Sequence, residues 1–203
     1  MSIDLIGISG KLTSGKDTVA SMIMSNSKDD WEIKKYSKKL KEIASILTGI
    51  PEENFEDQKF KNSVLPKEWS RKFRYPSYIA TREEDMTVRR FLQLLGTEAI
   101  REGLHTNAWV NALFADCQDE DPPWFKAIKF SKWIVTDVRF PNEFDGIKQR
   151  GGIVIRVNRP GINTGDHPSE TALDNHVFDY TITNDGTLEE LEQKVITMLN
   201  TIK

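Results

Sequence analysis

Gly10-Lys11-Leu12-Thr13-Ser14-Gly15-Lys16-Asp17-Thr18 carries two glycines and a lysine at the spacing that can wrap a polyphosphate. In such a loop the glycines let successive backbone N–H groups turn inward, and the lysine reaches the β and γ phosphates. The helix that follows points its positive end at the anion. The run lies directly after the apolar stretch Ile3-Asp4-Leu5-Ile6-Gly7-Ile8-Ser9 and ahead of the helix-compatible stretch Asp17 to Met24, the context a P-loop requires. The implied ligand is a nucleoside triphosphate, held by Gly10, Thr13, Ser14, Gly15, Lys16, Asp17 and Thr18. One position departs from the usual pattern, because the Ser or Thr that follows the lysine and binds Mg²⁺ is here Asp17. Either Asp17 takes the metal, directly or through water, or Thr18 substitutes for it. A helix-start role for Asp17, facing the helix dipole, is equally open.

Other candidate groups are more dispersed. Thr136-Asp137-Val138-Arg139 ends an apolar strand with an acid, where P-loop enzymes place a carboxylate for Mg²⁺ or its waters, although a strand-end Asp is also a common turn or cap residue. Arg139 could face the same cleft or pair with Glu143. Arg89 and Gln93 stand four apart on an expected helix and share a face, so that one can hold a phosphate and the other a base edge. The plainer alternative for Arg89 is a solvated helical ion pair. Arg156 to Gly161 leads into a polar loop, Ile162 to Ser169, whose Gly, Asn, Asp and Pro suggest a mobile arginine-bearing lid over the phosphates. His167-Pro168-Ser169-Glu170 lacks a second suitably spaced His, which favours structural hydrogen bonding over metal binding.

These groups need a scaffold, and the apolar runs supply one. Strand-length runs occur at residues 3–8, at Trp133 to Thr136, at Ile153 to Val157 and at Tyr180 to Thr183, with a shorter candidate at Glu32 to Tyr36. Helical patterns fall at Asp17 to Ser25, Lys38 to Leu47, Val88 to Arg101, Ala108 to Cys117, Glu143 to Arg150 and Leu188 to Leu199. The alternation predicts an α/β fold with a five-stranded parallel sheet flanked by helices, with ligands at the carboxyl ends of the strands. The whole chain reads as a single domain, residues 1–203. Within it, about 37–125 is too long for a crossover and is expected to be a mostly helical insertion, and about 158–170 is the lid. Phe55, Phe60, Trp69, Phe73, Tyr75, Tyr78 and Trp109 are expected to give the insertion its own small core.

Composition narrows the functional classes. The 203 residues are 38% hydrophobic and 29% charged with net charge -3, which suits one soluble domain and argues against a dedicated nucleic-acid binder. A single cysteine, Cys117, excludes an internal disulfide. The N-terminal apolar run is too short for a signal peptide, and no stretch has the roughly 20 apolar residues of a membrane span. A cytoplasmic protein with small-molecule partners is expected, and a homodimer stays open.

Taken together the segments resemble the phage-type deoxynucleoside monophosphate kinases, a branch of the P-loop kinases. The resemblance rests on Gly10 to Thr18, Phe55-Glu56-Asp57 through Leu65-Pro66-Lys67-Glu68-Trp69, and Thr87 to Glu98. It extends through Asp137 to Glu143, Arg159-Pro160-Gly161, His167 to Glu170 and Ile182 to Leu191, and so runs nearly end to end. This branch also carries Asp after its P-loop lysine. The resemblance implies transfer of the γ-phosphoryl of ATP to a deoxynucleoside 5′-monophosphate, with Mg²⁺ and with Lys16, Arg139 and Arg159 as catalytic residues. It further implies that Ser37, Lys41, Arg89, Gln93, Thr97, Trp109 and Asp137 serve the acceptor, and that Asn184 lies on the adenine side. Kinases of another small acceptor, such as dephospho-coenzyme A or phosphomevalonate, and a non-catalytic nucleotide-binding protein are the rival readings.

Overall fold

The fold was analysed in a computed structural model, which describes residues 3–74, 81–115, 132–162 and 168–202. The chain divides into two units, Met1–Tyr36 with Val110–Lys203, and Ser37–Trp109.

The first unit is built on a five-stranded sheet. Its strands are β1 (Leu5–Ser9), β2 (Trp31–Lys34), β5 (Lys132–Val138), β6 (Ile153–Asn158) and β7 (Tyr180–Thr183), in the spatial order β2-β5-β1-β6-β7. Every pairing is parallel, with Ile6 opposite Ile134 on one side and Ile153 on the other. β1 is central and buried along its whole length, which is why it reads as a near-continuous apolar run. The edge strand β7 alternates instead: Ile182 is buried while Thr181 and Thr183 are exposed.

Side chains alternate across the sheet, and each face has its own helices. Ile6, Ile8, Ile134, Ile155, Val157 and Ile182 pack with Val19, Ala20 and Ile23 of α1 (Lys16–Asn26) and with Leu191, Val195 and Met198 of α8 (Leu188–Thr201). On the opposite face α6 (Pro141–Lys148) lies so close to β1 that a Cβ at Gly7 would stand 2.5 Å from Ile147 Cδ1. Phe114 of α5 (Ala108–Ala115) stacks on Trp133, ring centroids 6.2 Å apart. The short α7 (Pro168–Thr171) follows β6. These elements bear out the α/β reading, strand for strand.

The second unit contains most of α2 (Tyr36–Thr48), α3 (Gln58–Lys61), the antiparallel strands β3 (Arg71–Arg74) and β4 (Thr81–Glu84), and α4 (Val88–Gln93). Its core joins Phe55, Leu65, Met86, Val88 and Phe91, with Phe60 and Trp69 packed against them. Phe91 meets Trp69 edge-on, their rings 4.9 Å apart. Tyr75 and Tyr78 lie outside the described residues.

Beside its helices the second unit holds the antiparallel pair β3 and β4. This unit ends at Trp109, and residues 116–125 of the expected insertion lie outside the described residues. The expected helix Val88 to Arg101 is α-helical only to Gln93 and continues as a π-helix over Leu94–Glu102. Gly96 is buried in that wider winding, and a Cβ there would stand 3.0 Å from Leu40 Cδ2.

Candidate active site

β1 ends at Ser9, and residues 10–15 form the turn that delivers the chain into α1. Gly15, immediately before the helix, has φ 101°, and a Cβ there would stand 2.6 Å from Asn184 Nδ2. Only glycine meets both conditions. Gly10 answers to close approach, since a Cβ would stand 2.5 Å from Val157 O and equally close to Ser14 Oγ. Thr13 is left-handed at φ 62°, a conformation that costs a side-chain-bearing residue about 1 kcal/mol or more and that clusters at ligand-binding loops.

The loop has the polar character of an anion cradle. The Lys16 ammonium donates to the carbonyls of Gly10 at 2.8 Å and Lys11 at 2.7 Å, so it curls back over the loop. The Ser14 hydroxyl is buried and finds no hydrogen-bond partner among the described residues. A buried hydroxyl is costly unless something bonds to it, and a phosphate oxygen in the loop supplies that partner. Burial, reinforced by the neighbouring Arg139 guanidinium, lowers the Lys16 pKa to about 8, with Glu170, Asp17 and Asp137 opposing. Two half-buried cations, Lys16 and Arg139, stand within electrostatic reach of each other here, which favours a multiply charged anion.

Several sequence-predicted residues converge on this loop. The Asn184 side chain donates from Nδ2 to Ser14 O at 2.9 Å, and its backbone N–H donates to Asn158 O, so the loop after β7 props the phosphate loop from beneath. Arg159, directly after β6, donates from Nη1 to Thr13 O at 3.4 Å. Asp137, at the end of β5, accepts from Tyr36 N–H at 2.8 Å. Asp17 is exposed and pairs with Lys35 at 3.2 Å, and Thr18 is exposed beside it. The Glu143 carboxylate accepts the backbone N–H groups of Arg139 and Phe140 and so caps the start of α6, while the Arg139 guanidinium pairs with Glu170.

Sequence reasoning missed the residues that brace the loop. Glu170 accepts from Leu12 N–H at 2.8 Å as well as from Arg139. Arg156 donates to Ser9 Oγ at 3.2 Å and to Asp174 at 2.6 Å, and Asp174 also lies 4.0 Å from the Lys11 ammonium. Two signals stood in the sequence: Arg156 lies within an apolar strand, where an arginine needs a buried partner, and His167 to Glu170 favoured structural hydrogen bonding. His167 lies outside the described residues.

The expected acceptor residues all lie in the second unit except Asp137. Arg89 donates to Asn62 Oδ1 and Gln58 Oε1, both at 3.2 Å, so α3 orients its guanidinium. Gln93, one turn further along α4, has no hydrogen-bond partner among the described residues. Lys41 is buried and paired with Glu56 at 2.5 Å. Trp109 is buried and its indole N–H donates to Gly96 O at 2.8 Å, which leaves its ring rather than its N–H for any acceptor contact. Thr97 falls in the π-helix, so it does not continue the α-helical face of Arg89 and Gln93. Ser37 lies in the first turn of α2, half-buried.

A phosphate loop at the first strand of a parallel sheet, with its lysine beside a strand-end acid and an arginine, defines a P-loop kinase. The sequence profile of the deoxynucleotide monophosphate kinases matches residues 38–195, and the chain belongs to that family. It is 27% identical over 208 residues to a putative deoxynucleotide monophosphate kinase of Acanthamoeba polyphaga mimivirus, covering 97% of this chain and 96% of that protein. It is also 37% identical over 122 residues to the deoxynucleotide monophosphate kinase of Enterobacteria phage T4, covering 60% of this chain and about half (47%) of the phage protein. Among solved structures it is similar to shikimate kinase from Acinetobacter baumannii in complex with shikimate, with a TM-score of 0.46 and 13% identity over 100% of this chain and 96% of that one.

Proposed function

We propose that the chain transfers the γ-phosphoryl group of ATP to the 5′-phosphate of a deoxynucleoside monophosphate, giving ADP and the deoxynucleoside diphosphate. The observation that carries the reading is the convergence at one loop of Lys16, Arg139 and the unpartnered Ser14 hydroxyl, in a chain of this family. ATP takes the loop amides, Ser14 and Lys16. Bound polyphosphate draws the Lys16 ammonium off the Gly10 and Lys11 carbonyls and favours its charged form. Arg139 and Arg159 neutralise charge on the transferring group, and Asn184 keeps the loop in shape from below.

The acceptor already presents an anionic phosphate oxygen, so catalysis reduces to in-line positioning and charge neutralisation. Asp137 fits that economy. Its carboxylate accepts the Tyr36 backbone N–H, which fixes its direction and suits it to positioning. In the second unit Arg89, held by Gln58 and Asn62, takes the acceptor phosphate and Gln93 reads a base edge. Ser37, Lys41, Thr97 and Trp109 shape that pocket, Lys41 and Trp109 from buried positions.

Mg²⁺ fits the donor set. Asp17 and Asp137 are hard oxygen donors, both within electrostatic reach of Lys16, and Mg²⁺ in phosphoryl-transfer sites is held by one or two carboxylates together with phosphates and waters. Asp17 would hold it, with the Thr18 hydroxyl beside it, on release of Lys35. When bound it neutralises charge on the phosphate oxygens. Work on soluble nucleotides in a host cytoplasm accords with these features.

A coupled screen of ADP release tests the reading across dGMP, dTMP, dCMP and dAMP, the ribonucleotides, phosphomevalonate and dephospho-coenzyme A. Release should rise sharply with at least one deoxynucleoside monophosphate. A response confined to phosphomevalonate or dephospho-coenzyme A would replace the acceptor class.

A further inference from the structure

A carboxylate beside a phosphate-binding loop works against the loop's purpose unless it acts on the cations there. Glu170 is such a carboxylate: its side chain is 11% exposed, and its two oxygens have different partners. Oε2 accepts from Leu12 N–H, on the rim of the loop, at 2.8 Å. Oε1 pairs with Arg139 Nη1. The loop and the arginine are thus tied to one rigid planar group, although Leu12 and Glu170 are separated by 158 residues of chain.

We propose that Glu170 is the positioning residue that fixes the Arg139 guanidinium in register with the phosphate loop. An arginine side chain has several rotatable bonds, and freezing it at the moment of transfer costs entropy. Glu170 freezes it beforehand and occupies only one end of the guanidinium fork. Nε and Nη2 have no hydrogen-bond partner among the described residues and remain available to a phosphate. The carboxylate also offsets the repulsion between Arg139 and Lys16, since it supports the Lys16 charge that Arg139 disfavours. Glu170 touches neither ATP nor acceptor in this account and acts through Arg139. The inference rests on the kinase reading above, but its test separates the two, because wild-type transfer decides that reading first.

The test is a double-mutant cycle read in kcat, with KM for ATP and the melting temperature recorded for each protein. Glu170→Gln cannot offer two accepting oxygens and should lower kcat about 10- to 100-fold, with KM for ATP changed less than about threefold. Arg139→Ala should lower kcat at least as far, and the double variant should be no slower than Arg139→Ala alone. A second readout applies even if Glu170→Gln folds poorly. Methylguanidinium at tens of millimolar should restore part of the rate to Arg139→Ala, because Glu170 stands ready to bind it, and should restore none when Glu170→Asp, one methylene too short to span both partners, is added. Effects that multiply in the cycle, an unchanged kcat in Glu170→Gln, or equal rescue with and without Glu170 would each overturn the proposal.

Discussion

Raising the pH from 7 to 9 should weaken ATP binding about tenfold through Lys16 alone. In the empty protein its pKa lies at about 8 because burial and Arg139 oppose the charge, whereas a bound polyphosphate favours it. At pH 7 roughly nine in ten molecules carry the charged lysine, and at pH 9 roughly one in eleven does. If the complex holds the proton throughout, binding at pH 8.5 must take up about three-quarters of a proton per nucleotide. Titration calorimetry with a non-hydrolysable ATP analogue, in two buffers of different ionisation enthalpy, reads that uptake directly. Lys16→Arg, charged at every pH of interest, should bind with no uptake and a flat profile. The same shift has a stability signature: the folded pKa lies below the unfolded 10.5, so the unfolded chain binds more protons between about 8 and 10.5. The empty protein should therefore gain stability as pH rises through that window. Zero proton uptake by the wild type, with affinity unchanged from pH 7 to 9, would refute the placement of Lys16 against the phosphates.

Other substitutions probe separate parts of the account. Gly15→Ala should weaken ATP binding more than about tenfold, measured with the same analogue, because the left-handed backbone and the contact with Asn184 both exclude a Cβ. Asp17→Asn should raise the Mg²⁺ needed for half-maximal rate; normal metal dependence, with a loss of no more than about 0.5 to 2 kcal/mol in a parallel melt, would make Asp17 a helix-start residue only. Arg89→Ala should weaken every acceptor alike, by roughly ten- to a hundredfold in kcat/KM, for loss of a charge-assisted hydrogen bond worth about 1.5 to 3 kcal/mol. Gln93→Ala should instead reorder the preference among bases and leave KM for ATP near wild type. If Gln93→Ala changes KM for ATP and not the ranking, α4 does not hold the acceptor base.

The sheet was legible because its signals are local. Each strand is a short apolar run, and Gly10 to Thr18 carries its chemistry within nine residues. Strand order was not legible, since the adjacency of β1 to both β5 and β6 depends on how distant runs pair. The β3 and β4 pair was missed for a different reason: Arg71–Arg74 and Thr81–Glu84 are nearly all charged or polar and give no apolar alternation to read. The switch from α- to π-helix after Gln93 left no mark in hydrophobic periodicity. In the site, Lys16 announced itself, whereas no spacing in the sequence marks the pairing of Glu170 with Leu12 and Arg139 or of Asp174 with Lys11 and Arg156. Lys41 shows the opposite limit, because the family resemblance assigned it to the acceptor while its surroundings bury it against Glu56.

Passage of the phosphoryl group from nucleotide to nucleotide is decided by following the group itself. ATP labelled in its γ-phosphate, incubated with the protein, Mg²⁺ and the deoxynucleoside monophosphate that the screen selects, should deliver its label to the β-phosphate of the deoxynucleoside diphosphate, one for each ADP formed. Label recovered only as inorganic phosphate, at a rate the acceptor does not change, would contradict the account.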